Sequence, residues 1–218
     1  MTSTRIHDTD RARARARMID RLKHQNKIRD ERVLAAMAFI PRHRFVEKGL
    51  VYSAYDDTAL PIGLQQTISQ PFIVARMIEI LCEGRELGRT LEIGAGCGYQ
   101  AAVLSRIASE VYAVERLRML LDQARENLRP LRLPNLRLKC ADGTNGLPEA
   151  APFDTIIVAA GGLSVPPALK TQLAPTGKLL IPIGNANQRL LLIERQGSIF
   201  KESWHDDVRF VPLLTGTE

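Results

Sequence analysis

Apolar residues recur along this chain in two rhythms. From Arg11 to about Arg44 they fall at helix spacing: Met18 and Leu22, then Val33, Leu34 and Met37, with charges between them. Pro41, within "IPRHRF" (Ile40 to Phe45), closes that unit, because the residue before a proline is pushed out of the helical region. Val51 to Ser69, "VYSAYDDTALPIGLQQTIS", has no long period and contains Pro61 and Gly63. It is expected to be a loop, and loops of that length inside compact domains are often functional. Pro71 then suits a first helical position. Ile73, Val74, Met77, Ile78 and Leu81 form one apolar face opposite Arg76 and Glu79, and Gly84 and Gly88 close the helix.

After Gly88 the rhythm alternates. "TLEIG", "EVYAVE", "LRLKCAD", "FDTIIVAAG" and "GKLLIPIG" have the short apolar runs of strands. "YQAAVLSRIA", "LRMLLDQARENLRPL" and "PPALKTQLAP" have the spacing of helices. Strands alternating with helices predict a mostly parallel, doubly wound sheet covered on both faces. The tail runs "QRLLLIER", "SIFKESWH" and "DVRFVPLL" have no helix between them and are expected to be antiparallel strands finishing the sheet. Trp204, the only tryptophan, is expected to pack in the core near them. The fold class is therefore α/β with an added N-terminal helical region. Residues 1–17 form a basic tail or helix start, and residues 18–218 a single domain. Within it, 18–69 is a helical and loop cap, 70–184 the ligand-binding core and 185–218 the C-terminal strands. There is no internal repeat.

Composition narrows the partners. A chain of 218 residues buries about 70% of its unfolded surface, enough for a full core. No run of about 18 apolar residues exists, so no membrane span is expected, and the charged start has no signal-peptide character. Cys82, Cys97 and Cys140 lack metal-site spacing, so no metal is expected and a reducing cytoplasm fits. Much of the +6 net charge sits near "RARARAR", Arg11 to Arg17. Alternate residues spread around a helix and no aromatics interleave for base stacking, so nucleic acid is disfavoured.

The candidate chemistry lies at "LEIGAGCGYQ", Leu91 to Gln100, between a strand and a helix. The first βα turn of such a sheet binds nucleotides through glycines and the helix N-terminus. A dinucleotide fingerprint would need its third glycine where Tyr99 stands. The pattern Gly94, Gly96, Gly98 instead suits S-adenosyl-L-methionine, which has no pyrophosphate. Glu115, at the end of the next strand, is placed for the ribose hydroxyls, with Arg116 beside it in the cofactor site. Asp142 is expected to accept from the adenine amino group, and Gly143 to let the ring lie flat. Three signals at three successive strand ends outline an adenosine-sized pocket.

With these residues the sequence resembles the protein-L-isoaspartate O-methyltransferase family, from about Met18 to Leu214. The resemblance rests on "IPRHRFV", "AYDDTALPIG", "QTISQP", "LEIGAGCGYQ", "PFDTIIVAA", "LAPTGKLLIPIG" and "VRFVPL". It implies a class I, Rossmann-like S-adenosylmethionine-dependent methyltransferase fold. It implies methylation of the free α-carboxylate of L-isoaspartyl residues in damaged proteins and peptides, with repair proceeding through a succinimide. By the same resemblance the serine of "TIS", Ser69, is the active-site residue, Thr67 and Ile68 border the cofactor, and "RFVPLL" (Arg209 to Leu214) lines the peptide groove. Thr144 stands where bacterial members commonly carry an aromatic, and Leu64–Gln65 where a glycine-containing pair is usual.

A carboxylate nucleophile is ionised at neutral pH, its unperturbed pKa being about 4, so no general base is required. None is visible: His7, His24, His43 and His205 form no constellation. Ser69 precedes Pro71 at a helix start, where free N–H groups collect anions, and its hydroxyl can donate to the substrate or hold the loop. The competing reading of Ser69 is a helix cap. Asp56 and Asp57 are expected to bond to backbone N–H groups, and Cys97 to be a small buried filler. Two other functions share the same pocket: a methyltransferase acting on RNA or a small molecule, and a non-catalytic adenosyl-binding module.

Overall fold

The computed structural model describes residues 2–218, with side chains from Thr9 onward. Helix α1 (Thr2–His24) and helix α2 (Glu31–Phe39) replace the single helical stretch expected from the pattern. The chain breaks between them at Lys27, whose φ of 63° is left-handed. Asp30 then caps α2 by accepting from Arg32 N (2.9 Å) and Val33 N (3.3 Å). Met18 and Leu22 of α1 and Val33, Leu34 and Met37 of α2 are all buried in one cluster with Met77, Ile78 and Leu81. The "RARARAR" run lies in α1, with Arg13 and Arg17 exposed and Arg11 and Arg15 half-buried, so its charge is split around the helix.

The stretch expected as a loop carries a short hairpin, β1 (Leu60–Pro61) and β2 (Thr67–Ile68), paired Leu60 to Ile68 and Pro61 to Thr67. Its turn, Gly63–Leu64–Gln65, has φ values of 87°, 49° and 58°. Leu64 and Gln65 thus hold the conformation that a glycine would adopt without steric cost. Helix α3 (Pro71–Cys82) follows, and Asp57 Oδ1 accepts from Phe72 N (2.9 Å) at its first turn.

The alternating half forms β3 (Arg89–Ile93), α4 (Tyr99–Leu104), β4 (Glu110–Glu115), α5 (Arg118–Leu128), β5 (Leu136–Cys140) and β6 (Phe153–Val158). Then come α6 (Pro167–Thr171), β7 (Leu173–Gly184), β8 (Gln188–Gln196) and β9 (Ile199–Val208). The seven-stranded sheet has the order β5-β4-β3-β6-β7-β8-β9. Its first five strands are parallel and β8 and β9 are antiparallel. The chain winds outward from β3 to β5, then returns to place β6 on the other side of β3. That reversal opens a crevice at the carboxyl ends of the strands. Alternate residues serve two cores: Ile157, Leu180 and Leu192 pack toward α1–α4, and Ile156, Val158 and Leu179 toward Leu169 of α6.

Three expectations change at the C-terminal half. Helix α6 stops at Thr171, and "LAPTG" belongs to β7. Strand β9 absorbs "SIFKESWH" and the start of "DVRFVPLL"; the remainder runs past Gly161, joined to it through a single parallel bridge at Pro212. Trp204 is 49% exposed on β9, with the Arg189 guanidinium 5.8 Å from its ring centroid, and is not a core residue. Both sheet edges are charged: Arg137 and Lys139 are exposed on β5, and Lys201, Glu202 and Asp207 on β9.

Candidate active site

The crevice at the switch point has an outer and an inner part. Gly94, Gly96, Glu115, Arg116 and Gly143 line the outer part, roofed by Ile62 and Thr67 on one side and by Val211 to Leu214 on the other. Thr67, Ile68, Ser69, Glu92, Cys97 and Tyr99 line the inner part, which shares Gly94 and Gly96 with the outer one. Most of the residues singled out in the sequence therefore meet in one place. Gly98 and Asp142 adjoin lining residues, Cys97 and Gly143, but do not themselves line either part. A Cβ on Gly98 would meet Leu128 Cδ1 at 2.8 Å, and its φ is +87°, so this glycine lets α4 start against α5. Gly143 does line the crevice, but its lack of a side chain is required by Ile93 Cγ2, 2.3 Å from where a Cβ would sit.

Glu115 is buried, and both its oxygens bond to backbone. Oε2 accepts from Gly96 N (2.9 Å) and Oε1 from Leu117 N (3.0 Å), tying the glycine turn to the next βα turn. A carboxylate has about four acceptor positions, so two remain for a ligand. Asp142 is engaged more fully than expected. Oδ1 accepts from Thr144 N (2.9 Å) and Thr144 Oγ1 (2.6 Å), and Oδ2 from Gly216 N (2.7 Å). Burial would raise its pKa, but the bonds from Gly216 and Thr144, with the Arg116 charge nearby, hold it below the ordinary value. Arg116 turns to the same C-terminal segment, donating to Gly216 O (3.1 Å) and pairing with Glu218 (2.8 Å).

The inner part and the core directly behind it hold groups that the sequence reading missed. Glu92, in the middle of β3, is fully buried. Its Oε1 accepts from Gln100 Nε2 (3.1 Å), while Oε2 has no partner. Burial pushes this carboxyl up to about 8. The sequence signal was available: an acid inside an otherwise apolar strand of a parallel sheet. Arg42 is also fully buried, within the short helical turn Arg42–Arg44. Its Nε donates to Ala54 O (2.8 Å) and Nη2 to Ser69 O (2.8 Å), while Nη1 meets no acceptor other than the Tyr99 side chain. The guanidinium lies 4.8 Å from the ring centroid of Tyr99, whose buried Oη has no other partner.

Ser69 precedes α3, but the helix N-cap is Gln70, and the first-turn N–H of Phe72 is taken by Asp57. The Ser69 hydroxyl makes no hydrogen bond among the described residues and borders the inner part beside Glu92. Cys97 is buried there, and its thiol is pushed up to about 11 by that burial, which leaves it unreactive. His43 shares a hydrogen bond with Tyr55 Oη (2.7 Å), His205 with Ser203 (3.3 Å), and His24 lies 3.5 Å from Asp20; none of them lines the crevice. The side chain of His7 lies outside the described residues. No group of three metal-ligating side chains exists among the described residues, and no helix is long and apolar enough to cross a membrane. The crevice thus offers acceptors at a nucleoside-sized outer end and an orphaned buried carboxylate at the inner end, where a cation would be stabilised.

The family profile described as protein-L-isoaspartate(D-aspartate) O-methyltransferase matches residues 13–218. The protein-L-isoaspartate O-methyltransferase of Aromatoleum aromaticum is 72% identical over 207 residues, covering 95% of this chain and 94% of its own. That of Azoarcus sp. strain BH72 is 72% identical over 207 residues, covering 94% of this chain and 95% of its own. A solved structure from Plasmodium falciparum, described as a protein-L-isoaspartate O-methyltransferase in complex with S-adenosyl-L-homocysteine, superposes with a TM-score of 0.82 at 25% identity, over 92% of this chain and 98% of that one.

Proposed function

The chain belongs to the protein-L-isoaspartate(D-aspartate) O-methyltransferase family, and on that premise we propose how its crevice methylates the free α-carboxylate of L-isoaspartyl residues in damaged proteins. The observation that carries the reading is the pairing of a polar outer end, Glu115 with the glycine turn, with an orphaned acid, Glu92, at the inner end. S-adenosylmethionine has a ribose for the first and an ammonium for the second. When bound, it supplies an electrophilic methyl group on a sulfonium.

The protein's part is placement. Glu115 accepts from the ribose hydroxyls with its remaining lone pairs, while Gly94 and Gly96 admit the ligand close to the backbone. Glu92, ionised once the ammonium arrives, gains the partner its Oε2 lacks. Thr67, Ile68 and Ser69 close the inner end, and the Ser69 hydroxyl donates to one oxygen of the acceptor carboxylate so that the other faces the methyl. Asp142 and Gly98 act from behind: the first holds Gly216 and Thr144, the second seats α4. The carboxylate is already ionised, so alignment and exclusion of water carry the rate, and near-attack placement supplies about 7–11 kcal/mol. The Arg209–Leu214 segment is held extended at the mouth: Gly161 N donates to Val211 O (2.8 Å), Leu213 N to Gly161 O (2.8 Å), and Gln188 brackets Phe210 at its N–H (2.7 Å) and carbonyl (3.2 Å). A backbone so fixed can read a kinked isoaspartyl main chain by strand-like hydrogen bonds.

We take residues 18–218 as one methyltransferase unit, with 18–69 as its cap, and place it in the cytoplasm, where its three free cysteines stay reduced. The test is labelled methyl transfer to an isoaspartyl peptide and its aspartyl twin, beside an RNA pool. The label should enter the isoaspartyl peptide alone, as a base-labile ester that releases methanol at raised pH. A base-stable mark, or equal labelling of both peptides, overturns the substrate assignment while leaving the adenosyl pocket standing.

A further inference from the structure

Arg42 is a cation in an expensive place. Its side chain is fully buried, and no carboxylate among the described residues pairs with it. An arginine does not shed its proton inside a protein, so the charge stays. Two neutral carbonyls, the Tyr99 ring face and the Tyr99 hydroxyl beside it offset part of the cost of burial, and none of them carries a balancing negative charge. Asp57 is the carboxylate whose field reaches it, but Asp57 Oδ1 already serves Phe72 N. Leaving a buried charge without a counter-charge is costly, so an anion brought into the crevice on the far side of Ser69 is stabilised by the field of this guanidinium.

The contacts say where. One arm of the fork holds Ala54 O and another Ser69 O, residues 15 apart in sequence on the two ends of the hairpin-bearing segment that roofs the crevice. A planar fork bonded at two points fixes both position and orientation, which a lysine cannot do. We propose that Arg42 is the positioning residue for the methyl acceptor: it locks Ser69 through its carbonyl and supplies the unbalanced positive charge that the isoaspartyl carboxylate completes. It does so from behind the loop, without touching the substrate. This rests on the reading of the acceptor as an isoaspartyl carboxylate, which the wild-type comparison of isoaspartyl and aspartyl peptides tests separately.

Arg42→Met keeps the length and removes both charge and donors; Arg42→Lys keeps the charge and removes the fork. Four quantities are read for each: melting temperature, affinity for S-adenosylhomocysteine, affinity of the homocysteine complex for an isoaspartyl peptide, and kcat with KM. In the Met variant, peptide affinity should fall roughly 10-fold or more and kcat should fall as well, while affinity for S-adenosylhomocysteine stays within about 3-fold. In the Lys variant, peptide affinity and KM should stay within about 3-fold of wild type while kcat falls roughly 10-fold, because the charge remains but Ser69 is no longer held. Unchanged peptide affinity in a folded Met variant overturns the role of the charge. So does an equal loss in both variants, and a parallel loss of homocysteine affinity reduces Arg42 to a structural clamp. If the Met variant does not fold, the Lys variant decides alone: retained kcat overturns the positioning, and a 10-fold weaker peptide overturns the charge.

Discussion

At the outer end of the crevice both oxygens of Glu115 already accept hydrogens from the protein, and so do both of Asp142 next to the lining residue Gly143. At the inner end Glu92 Oε2 accepts nothing, and behind it Arg42 Nη1 and Tyr99 Oη have no partner beyond each other. Both carboxylates are struts that shape the glycine turn and the turn after β5 before a ligand comes, and Glu115 keeps spare lone pairs for its nucleoside. The Glu92 carboxyl is held at a cost, a buried orphan being worth about 1–3 kcal/mol against folding, and a ligand that partners it recovers that cost as binding. One end is built for shape, the other for the difference between empty and filled.

Mutations should separate the two. Glu115→Ala should do the most damage, because it strands Gly96 N and Leu117 N as well as the ribose. We expect stability and cofactor affinity to fall together, by about 1–3 kcal/mol each, in denaturant melts and calorimetry. Affinity lost without stability would mean that the strut role is absent. Glu92→Gln should split the same quantities: homocysteine affinity falls by about 1.5–3 kcal/mol, while the empty protein melts at the same temperature or higher. A variant that binds as well as wild type would remove Glu92 from the ammonium site. Ser69→Ala should leave both melting and cofactor affinity alone and lower kcat by about 10- to 100-fold, the worth of a hydrogen bond to a charged group; full turnover would leave the hydroxyl without a part in methyl transfer.

Acidity sharpens the comparison further. The Glu92 carboxyl is raised by burial to about 8 in the empty protein, above the ordinary glutamate value of about 4.5. The native state therefore holds this proton more tightly than the unfolded chain. Its contribution to stability is fully present below about 4.5 and is lost as pH rises through about 8, at up to about 1.4 kcal/mol per pH unit. Asp30 and Asp142 are shifted downward and act with the opposite sign: their contribution is present above the ordinary aspartate range and is lost as pH falls through it. Melts of the empty protein between pH 5.5 and 8 should therefore show a downward slope that Glu92→Gln flattens. Calorimetry in buffers of different ionisation enthalpy should find close to one proton released on cofactor binding near pH 6.5. No release would mean that Glu92 is ionised before the ligand arrives. The smallest effect belongs to the roof: Leu64→Asn should stabilise by about 0.5–1 kcal/mol, since asparagine tolerates the left-handed φ of 49° better than leucine. A destabilised variant would show that the Leu64 side chain contributes more by packing than its backbone costs.

The alternating half of the fold was legible because strand and helix periods are local, and so was the glycine turn. Glu115 could be read because it ends a strand at a fixed place after that turn. The bond from Gly216 N to Asp142 spans 74 residues, so no local pattern reveals that this acid also holds the C-terminal segment. Arg42 stood among three basic residues in "PRHR", and only the fold turns one inward while leaving its neighbours nearer the surface. Trp204 was misplaced because alternation does not tell which face of an antiparallel pair is covered. The tail segment reads as a strand by composition, yet Pro212 has no N–H to give a ladder, and the segment bonds to Gly161 instead.

The charged sheet edges have a consequence for the company this enzyme keeps. Damaged polypeptides expose unpaired strands, and an open sheet margin invites them to add on and grow. Arg137 and Lys139 guard one margin, and Lys201, Glu202 and Asp207 the other. A strand joining either side would have to desolvate or neutralise those charges. The clients can thus be handled at the crevice without templating onto the flanks, which keeps the repair catalyst from co-aggregating with the chains it services.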